Sequence, residues 1–255
     1  AVLLAGLYAD GVTTVYEPHL SRDHSERMLR HFGVEVNSFA GGVSIAGGQE
    51  LTARDLLVPG DISSAAFFIV AGLIVPGSEL LIKNVGINPT RCGVIDILKK
   101  MNGSIELVNE REMAGEPVAD VLVKSSDLKG IEIGGEDVPR AIDEFPVISV
   151  AAACAEGTTV IRDAKELRVK ETDRIAAMAD VLTTFGVSVT PAEDGMTIEG
   201  AERLQGGCVN SCGDHRIAMS SAIAALRATE DVVIEDTQCT ATSFPNFWEL
   251  LAAVS

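Results

Sequence analysis

An apolar, alanine-rich stretch followed by a turn and a β-branched stretch recurs four times along the chain. The copies are AVLLAGLYADGVTTVYEP, FFIVAGLIVPGSELLIKNV, VISVAAACAEGTTVIRDA and IAMSSAIAALRATEDVVIEDT. Glycine occupies the turn in three copies, at Gly11, Gly77 and Gly157, because a positive φ strains glycine least. Each apolar stretch is hydrophobic nearly all round. The pattern therefore predicts four buried helices, each followed by a strand.

A second, amphipathic segment follows each predicted strand. Three of these segments end in a glycine suited to a helix C-cap and then a strand: SRDHSERMLRHFGVEV with Gly33, PTRCGVIDILKKMNGSIELV with Gly103, and VKETDRIAAMADVLTTFGVSVT with Gly186. The fourth segment, SFPNFWELLAAVS, runs to the end of the sequence. A unit of helix, strand, helix and strand with a period of roughly 65–80 residues is too long for a small solenoid repeat. We expect an α/β fold of stacked units.

A domain boundary is predicted at LLVPGDISS, residues 56–64, where Pro, Gly and Asp interrupt the pattern and serines open the next helix. The first unit, residues 1–58, is assigned to one domain, and residues 59–255 to a second.

Composition narrows the classes of function. The 255 residues are 47% hydrophobic and 22% charged, which is typical of a globular protein. The net charge is −17, from 20 Lys and Arg against 37 Asp and Glu, so neither a nucleic acid nor an anionic membrane surface is expected as a partner. An anion site in such a chain must depend on local cations and backbone N–H groups.

The five cysteines are odd in number and scattered, which predicts reduced thiols and a cytoplasmic protein. Cys208 and Cys212 lack a second ligand pair at zinc-like spacing, so no metal site is expected. No apolar run approaches the length of a transmembrane helix. The sequence starts without Met inside an apolar helix, and we interpret it as a fragment.

Short polar clusters precede three of the buried helices: GDISS (60–64), AIDEF (141–145) and CGDHR (212–216). Helices packed side by side would bring their N-termini together and form an anion site. Arg216 in a first turn opposes the helix dipole, which makes sense beside a bound anion, although a surface ion pair with Asp214 is the alternative. His215 is either a donor to that anion or a packed side chain. Asp143 is either a helix N-cap or a proton acceptor.

The segment RVKETDR, residues 168–174, concentrates charges of both signs just before an apolar helix. Glu171 continues the helical stripe of Ile175, Met178 and Leu182, which predicts that it extends this face toward the rim of a site. Lys170 and Arg174 lie at spacings that make neighbours on a helix. The segment is therefore either an acid–base and anion site or a solvated helix start with weak ion pairs.

These motifs, together with VPGDISSAAFF and CTATSFPNF, resemble the 5-enolpyruvylshikimate-3-phosphate (EPSP) synthase family over essentially the whole chain. INPTRCGVIDIL and EPHLSRDHSERM resemble the bacterial branch that includes glyphosate-tolerant forms. The resemblance implies two domains of three βαβαββ units each, with the first domain incomplete here. It implies transfer of the enolpyruvyl group of phosphoenolpyruvate to the 5-hydroxyl of shikimate 3-phosphate, without metal or cofactor.

The resemblance also assigns roles to individual residues. Asp143 matches a candidate base that contacts the shikimate hydroxyl, and Glu171 matches a candidate proton donor and acceptor at the methylene carbon. The residues matched to phosphoenolpyruvate binding are Arg174, His215 and Arg216. Those matched to shikimate 3-phosphate binding are Ser21, Arg22, Asp143 and Lys170.

One position departs from the family pattern: many relatives have lysine where Thr242 stands in CTATSF. A related enolpyruvyl transferase that acts on a UDP-sugar is an alternative, although RVKETDR with DHRIAM favours the shikimate enzyme. A second alternative is a non-catalytic half or remnant. We expect a monomer at full length and little or no turnover from these 255 residues alone.

Overall fold

The computed structural model describes residues 1–17 and 21–254. Residues 18–20 of the EPHLSRDHSERM motif and Ser255 lie outside the described residues. The first unit contains two helices and three strands: α1 (Val2–Gly6), β1 (Val12–Tyr16), α2 (His24–His31), β2 (Val36–Phe39) and β3 (Gly42–Ala46).

Two further units repeat this plan. The second unit comprises α3 (Ile62–Ile74), β4 (Glu79–Gly86), α4 (Gly93–Lys100), β5 (Ser104–Met113) and β6 (Glu116–Lys124). The third unit comprises β7 (Glu132–Ile133), α5 (Asp137–Ala141), α6 (Phe145–Ala153), β8 (Thr158–Ile161), a 3-10 helix (Lys165–Val169), α7 (Arg174–Thr184), β9 (Ser188–Ala192) and β10 (Gly195–Glu199).

The last unit is shorter within the described residues. It comprises β11 (Gly207–Asn210), α8 (His215–Ala225), β12 (Val232–Glu235), a 3-10 helix (Thr237–Thr242) and α9 (Phe247–Val254). Its two strands pair in parallel around the crossover helix α8.

The strand order shows the repeat most directly. The third unit forms a sheet of order β7-β8-β10-β9, in which β7 and β8 are parallel and the other pairs antiparallel. The first and second units have the corresponding orders β1-β3-β2 and β4-β6-β5. This is the βαβαββ arrangement that the resemblance implies, so the predicted α/β fold of repeated units is confirmed.

The sequence pattern missed one strand in each of these units. It predicted a polar linking stretch after the second strand, but β3, β6 and β10 each turn back there and pair between the two predicted strands. The predicted C-cap at Gly103 is also wrong, because Asn102 takes the positive φ of 70° that ends α4. Gly33 and Gly186 do adopt positive φ, as predicted.

The predicted buried helices α3, α6 and α8 pack against one another in the centre of the larger core. Nearly every residue of α3 and α6 is buried, as their uniformly apolar sequences predict. Helix α1 is the exception, since only Leu3 and Gly6 of it are buried.

Two separate hydrophobic cores occur within the described residues. The smaller one is formed by Leu3, Leu7, Leu29, Val34, Val43 and Ile45, and the larger one spans residues 62–247. The segment 47–59 between them contains no helix or strand. We propose that the domain boundary lies near residue 58, as the sequence predicts. Among the described residues, no helix is both long and apolar enough to cross a membrane.

Candidate active site

The N-termini of α3, α6, α7 and α8 meet through their side chains. At α3, Asp61 caps the helix by accepting a hydrogen bond from the Ser64 amide at 3.0 Å. Two residues after Asp61, the Ser63 hydroxyl donates to Glu144 at the start of α6, with 2.5 Å between the two oxygens. At the start of α8, Arg216 lies 3.8 Å from Glu144, and Asp214 pairs with Arg174 of α7 at 2.8 Å. The predicted convergence of helix N-termini is therefore confirmed by geometry.

The segment RVKETDR does not begin a helix at Glu171, so the predicted helical stripe is wrong at that residue. A 3-10 helix ends at Val169, and α7 begins only at Arg174. The reason is Asp173, whose carboxylate accepts from the Ala176 amide at 3.0 Å and so caps the helix one residue before it starts. Lys170 forms an ion pair with Glu166 of the 3-10 helix.

Arg174 is the central cation of this region. Its side chain is 1% exposed, and its Nε donates to Asp214 at 2.8 Å while Nη2 donates to Glu171 at 2.6 Å. Its Nη1 lies 3.8 Å from an oxygen of Asp143, which is too long for a hydrogen bond. This Nη1 is buried and has no hydrogen-bond partner among the described residues. A buried guanidinium N–H without a partner is available to an anionic ligand.

Asp143 joins the first unit to the rest of the site. Arg22 donates to its carboxylate at 2.8 Å, although the two residues are 121 positions apart in sequence. Burial by itself raises the pKa of Asp143, but the hydrogen bond from Arg22 and the charges of Arg216 and Lys170 outweigh it and lower the pKa. Asp143 is therefore ionised at neutral pH. It is not a helix N-cap, since α6 begins after Glu144.

A cleft of about 550 Å³ opens beside this pair, and Ser21, Arg22, Asp143 and Lys170 all line it. Thr90, Arg140 and Glu166 complete its polar lining, and Glu166 forms an ion pair with Lys170. The Ser21 hydroxyl donates to Glu17 at 2.6 Å. Three cationic side chains, those of Arg22, Arg140 and Lys170, line the cleft and suit a phosphate group.

Arg216 and His215 lie in the first turn of α8, beside Arg174. The alternative that Arg216 pairs with Asp214 is wrong, because its guanidinium faces Glu144, with 3.8 Å between Nη1 and Oε1. Asp214 pairs with Arg174 instead. Burial lowers the pKa of His215, and the charge of Arg216 lowers it further, against the opposite effects of Asp214 and Glu171. His215 is therefore a neutral imidazole at neutral pH.

Thr242 ends the 3-10 helix after β12, and its hydroxyl donates to the carbonyl of Cys239 at 2.7 Å. The position therefore supplies no cation.

The five cysteines are free thiols, and burial raises the pKa of Cys92 to about 12. The described residues contain no group of three or more His, Cys, Asp or Glu side chains that could hold a metal ion.

Two charged residues of this site were not assigned a role from the sequence. Asp214 was identified only as a possible partner of Arg216, and Glu144 only as part of the polar cluster AIDEF. Both are buried, at 0% and 2% side-chain exposure, and both face an arginine. The spacing of these residues along the chain does not predict their contacts with arginine, because each contact joins residues of two different helices.

Comparison with known proteins shows which sequences and structures the chain resembles. The family model described as EPSP synthase (3-phosphoshikimate 1-carboxyvinyltransferase) matches residues 1–251. A 3-phosphoshikimate 1-carboxyvinyltransferase from Geotalea uraniireducens is 70% identical over 254 residues, which cover 100% of this chain and 59% of that protein. One from Geobacter metallireducens is 67% identical over 255 residues, with the same coverage. The chain thus spans about three fifths of the length of these relatives.

Solved structures of two proteins superimpose on this chain. An EPSP synthase from Acinetobacter baumannii superimposes with a TM-score of 0.95 at 50% identity, covering 99% of this chain and 59% of that one. The enolpyruvyl transferase NikO from Streptomyces tendae superimposes with a TM-score of 0.75 at 18% identity, covering 99% and 57%. At that identity, NikO supports the fold alone.

Proposed function

Because the chain belongs to the EPSP synthase family, we propose that it carries one wall of a site for enolpyruvyl transfer. The reaction moves the enolpyruvyl group of phosphoenolpyruvate to the 5-hydroxyl of shikimate 3-phosphate and releases phosphate. The observation that carries the proposal is the buried Arg174, whose Nη1 has no hydrogen-bond partner among the described residues. It lies where four helix N-termini, Arg216 and the carboxylates of Asp143, Glu171 and Asp214 meet, and both substrates are anions.

Arg174, Arg216 and His215 are proposed to hold phosphoenolpyruvate. A guanidinium group matches the geometry of carboxylate and phosphate oxygens, and both arginines already lie against helix N-termini. Ser21, Arg22 and Lys170 are proposed to hold the phosphate of shikimate 3-phosphate in the cleft that they line.

Asp143 is proposed to accept the proton of the attacking hydroxyl. In this structure Arg22 donates to it at 2.8 Å and helps to lower its pKa. When a substrate phosphate takes Arg22, Asp143 loses that hydrogen bond, so its pKa rises and it becomes a stronger base. The substrate thereby activates the group that removes its proton.

Glu171 is proposed to protonate the methylene carbon of phosphoenolpyruvate and later to take a proton back from the methyl group. Its side chain is 50% exposed and lies 2.6 Å from Nη2 of Arg174, so it can face a ligand bound by that arginine. Protonation makes the neighbouring carbon electrophilic, the hydroxyl adds to it, and phosphate leaves from the resulting tetrahedral intermediate.

The protein is further proposed to be cytoplasmic, to act as a monomer at full length, and to belong to the branch that includes glyphosate-tolerant forms. The scattered free cysteines support the first point. The motif INPTRCGVIDIL and Thr242 support the last.

A chimera tests the function. These 255 residues replace the matching segment of the Geotalea uraniireducens relative, whose 70% identity favours a compatible interface. We expect phosphate release from phosphoenolpyruvate with shikimate 3-phosphate, but none with UDP-N-acetylglucosamine, and none from the 255 residues alone. Asp143→Asn should lower kcat by about 100-fold or more. Glu156→Gln, an exposed glutamate remote from these helix N-termini, is the matched control. A folded chimera without turnover would refute the proposal.

A further inference from the structure

Arg216 differs from Arg174 in how it is held. Arg174 has direct hydrogen bonds to Asp214 and Glu171. The guanidinium of Arg216 has a single ion pair among the described residues, to Glu144 at 3.8 Å. Its N–H groups therefore remain available to a ligand, while Glu144 is its ion-pair partner and Asp143 attracts it from farther away.

Glu144 is itself fixed by a chain of hydrogen bonds from another helix. Ser63 of α3 donates to its Oε1 at 2.5 Å, and Nη2 of Arg91 donates to the Ser63 oxygen at 2.6 Å. Arg91 also lies 3.5 Å from Asp61. Since an arginine can only donate, the Ser63 hydroxyl donates to Glu144 when that carboxyl is ionised. Burial raises the pKa of Glu144, and the hydrogen bond from Ser63 and the charges of Arg216 and Arg91 oppose that rise. The order of donors is thus set by chemistry: Arg91, then Ser63, then Glu144.

This chain of contacts explains a motif that the proposed reaction leaves unused. Arg91 is the arginine of INPTRCGVIDIL, and nothing in the proposed chemistry requires it. Glu144 is 2% exposed, so a free carboxylate there would be costly without partners. Two arginines and a hydroxyl around it supply those partners, and in return Glu144 sits between Arg91 and Arg216.

We propose that Glu144 is a positioning residue that holds Arg216 in the orientation in which it binds phosphoenolpyruvate, and that Ser63 and Arg91 hold Glu144. The inference rests on the proposed function, because it assigns Arg216 to that ligand. Glu144 does not touch the ligand but acts through Arg216.

The direction in which Glu144→Gln changes the affinity for phosphoenolpyruvate distinguishes a positioning role from a purely electrostatic one. If Glu144 contributed only its negative charge, Glu144→Gln would strengthen the binding of an anion. If it positions Arg216, the same change weakens binding. We expect Glu144→Gln in the chimera to raise the Kd for phosphoenolpyruvate by about 5- to 20-fold. Ser63→Ala, which leaves the carboxylate in place, should raise it by a smaller factor.

A double-mutant cycle tests whether Glu144 acts through Arg216. Calorimetric Kd values for phosphoenolpyruvate are measured for Glu144→Gln, Arg216→Ala and the double variant, with Glu156→Gln as the control. We expect Glu144→Gln to have no further effect in the Arg216→Ala background. The KM for shikimate 3-phosphate should stay unchanged, whereas a general structural defect would alter both substrates.

Three outcomes would overturn the inference. Tighter binding in Glu144→Gln would show that only its charge matters, and additive effects in the cycle would show that it acts independently of Arg216. An Arg216→Ala chimera with unchanged affinity for phosphoenolpyruvate would remove the premise, and with it the proposed role of Arg216. If Glu144→Gln fails to fold, Ser63→Ala takes its place in the double-mutant cycle. Additive effects of Ser63→Ala and Arg216→Ala on the Kd would then overturn the inference.

Discussion

At the scale of single residues, the site depends on charges buried beside one another. Arg174 and Asp214 are 1% and 0% exposed, so neither can exchange its partner for water. A buried ion pair adds little net stability, but removal of one member leaves an isolated buried charge. The pair therefore fixes the geometry of α7 against α8 and makes that contact sensitive to substitution.

Asp214→Asn tests this directly, because asparagine retains an oxygen that can cap α8 and removes only the charge. We expect the free energy of unfolding to fall by about 3–5 kcal/mol in a urea titration. Asp180→Asn, at an exposed position on α7, should change it by no more than about 0.5 kcal/mol. Equal, small losses in both variants would show that Arg174 tolerates the absence of its partner.

His215 should make the free energy of unfolding depend on pH. Its pKa lies below the ordinary value of 6.5, mainly because of burial. As pH falls below 6.5, the unfolded chain takes up a proton here before the folded chain does, so the free energy of unfolding decreases. His215→Gln should remove this part of the acid sensitivity, and its stability relative to the parent should rise between about pH 7 and pH 5.5. The control is His31→Gln, at a half-buried histidine of the first unit. Parallel stability curves for parent and His215→Gln would contradict the expectation.

At the scale of helices and strands, the sequence predicted the buried helices because their residues are apolar on every side. It missed β3, β6 and β10, since the central strand of each sheet follows the second strand through a short hairpin within a stretch assumed to be a linker. The motif residues of the site were found from their types and order. The contacts from Arg174 to Asp214 and from Ser63 to Glu144 could not be found, because they join residues 40 and 81 positions apart on different helices.

The start of α7 supplies a prediction at this scale. Asp173 both caps the helix and forms an ion pair with Arg168, at 2.6 Å. Asp173→Ala should lower the free energy of unfolding by about 1–2 kcal/mol, and Asp173→Asn, which retains a capping oxygen, by less than half of that. Chemical denaturation of both variants measures the difference. If Asp173→Asn lost as much as Asp173→Ala, the ion pair rather than the cap would hold this turn.

At the scale of the whole molecule, polar contacts connect the two cores. Asn88 is 2% exposed and donates to Asp23 of the first unit at 2.6 Å and to Glu116 of the second at 2.9 Å. Its own oxygen accepts from the Thr90 amide and hydroxyl. Arg22, which follows Ser21 and precedes Asp23, is the residue that reaches Asp143. The contact at Asn88 thus lies directly beside the segment that completes the site.

Asn88→Ala should therefore loosen the first unit while the larger core stays intact. Six buried side chains are too few to keep the smaller core stable without help from its neighbour. In hydrogen exchange of the 255-residue chain, we expect amides of β1, β2 and β3 to exchange about tenfold faster or more, with α3, α6 and α8 unchanged. The matched control is Asn210→Ala, because Asn210 also donates to a glutamate, Glu235 at 3.0 Å, but within the last unit. Faster exchange spread evenly over both cores would show that the two unfold together, and unchanged exchange in β1–β3 would show that other contacts hold the first unit in place.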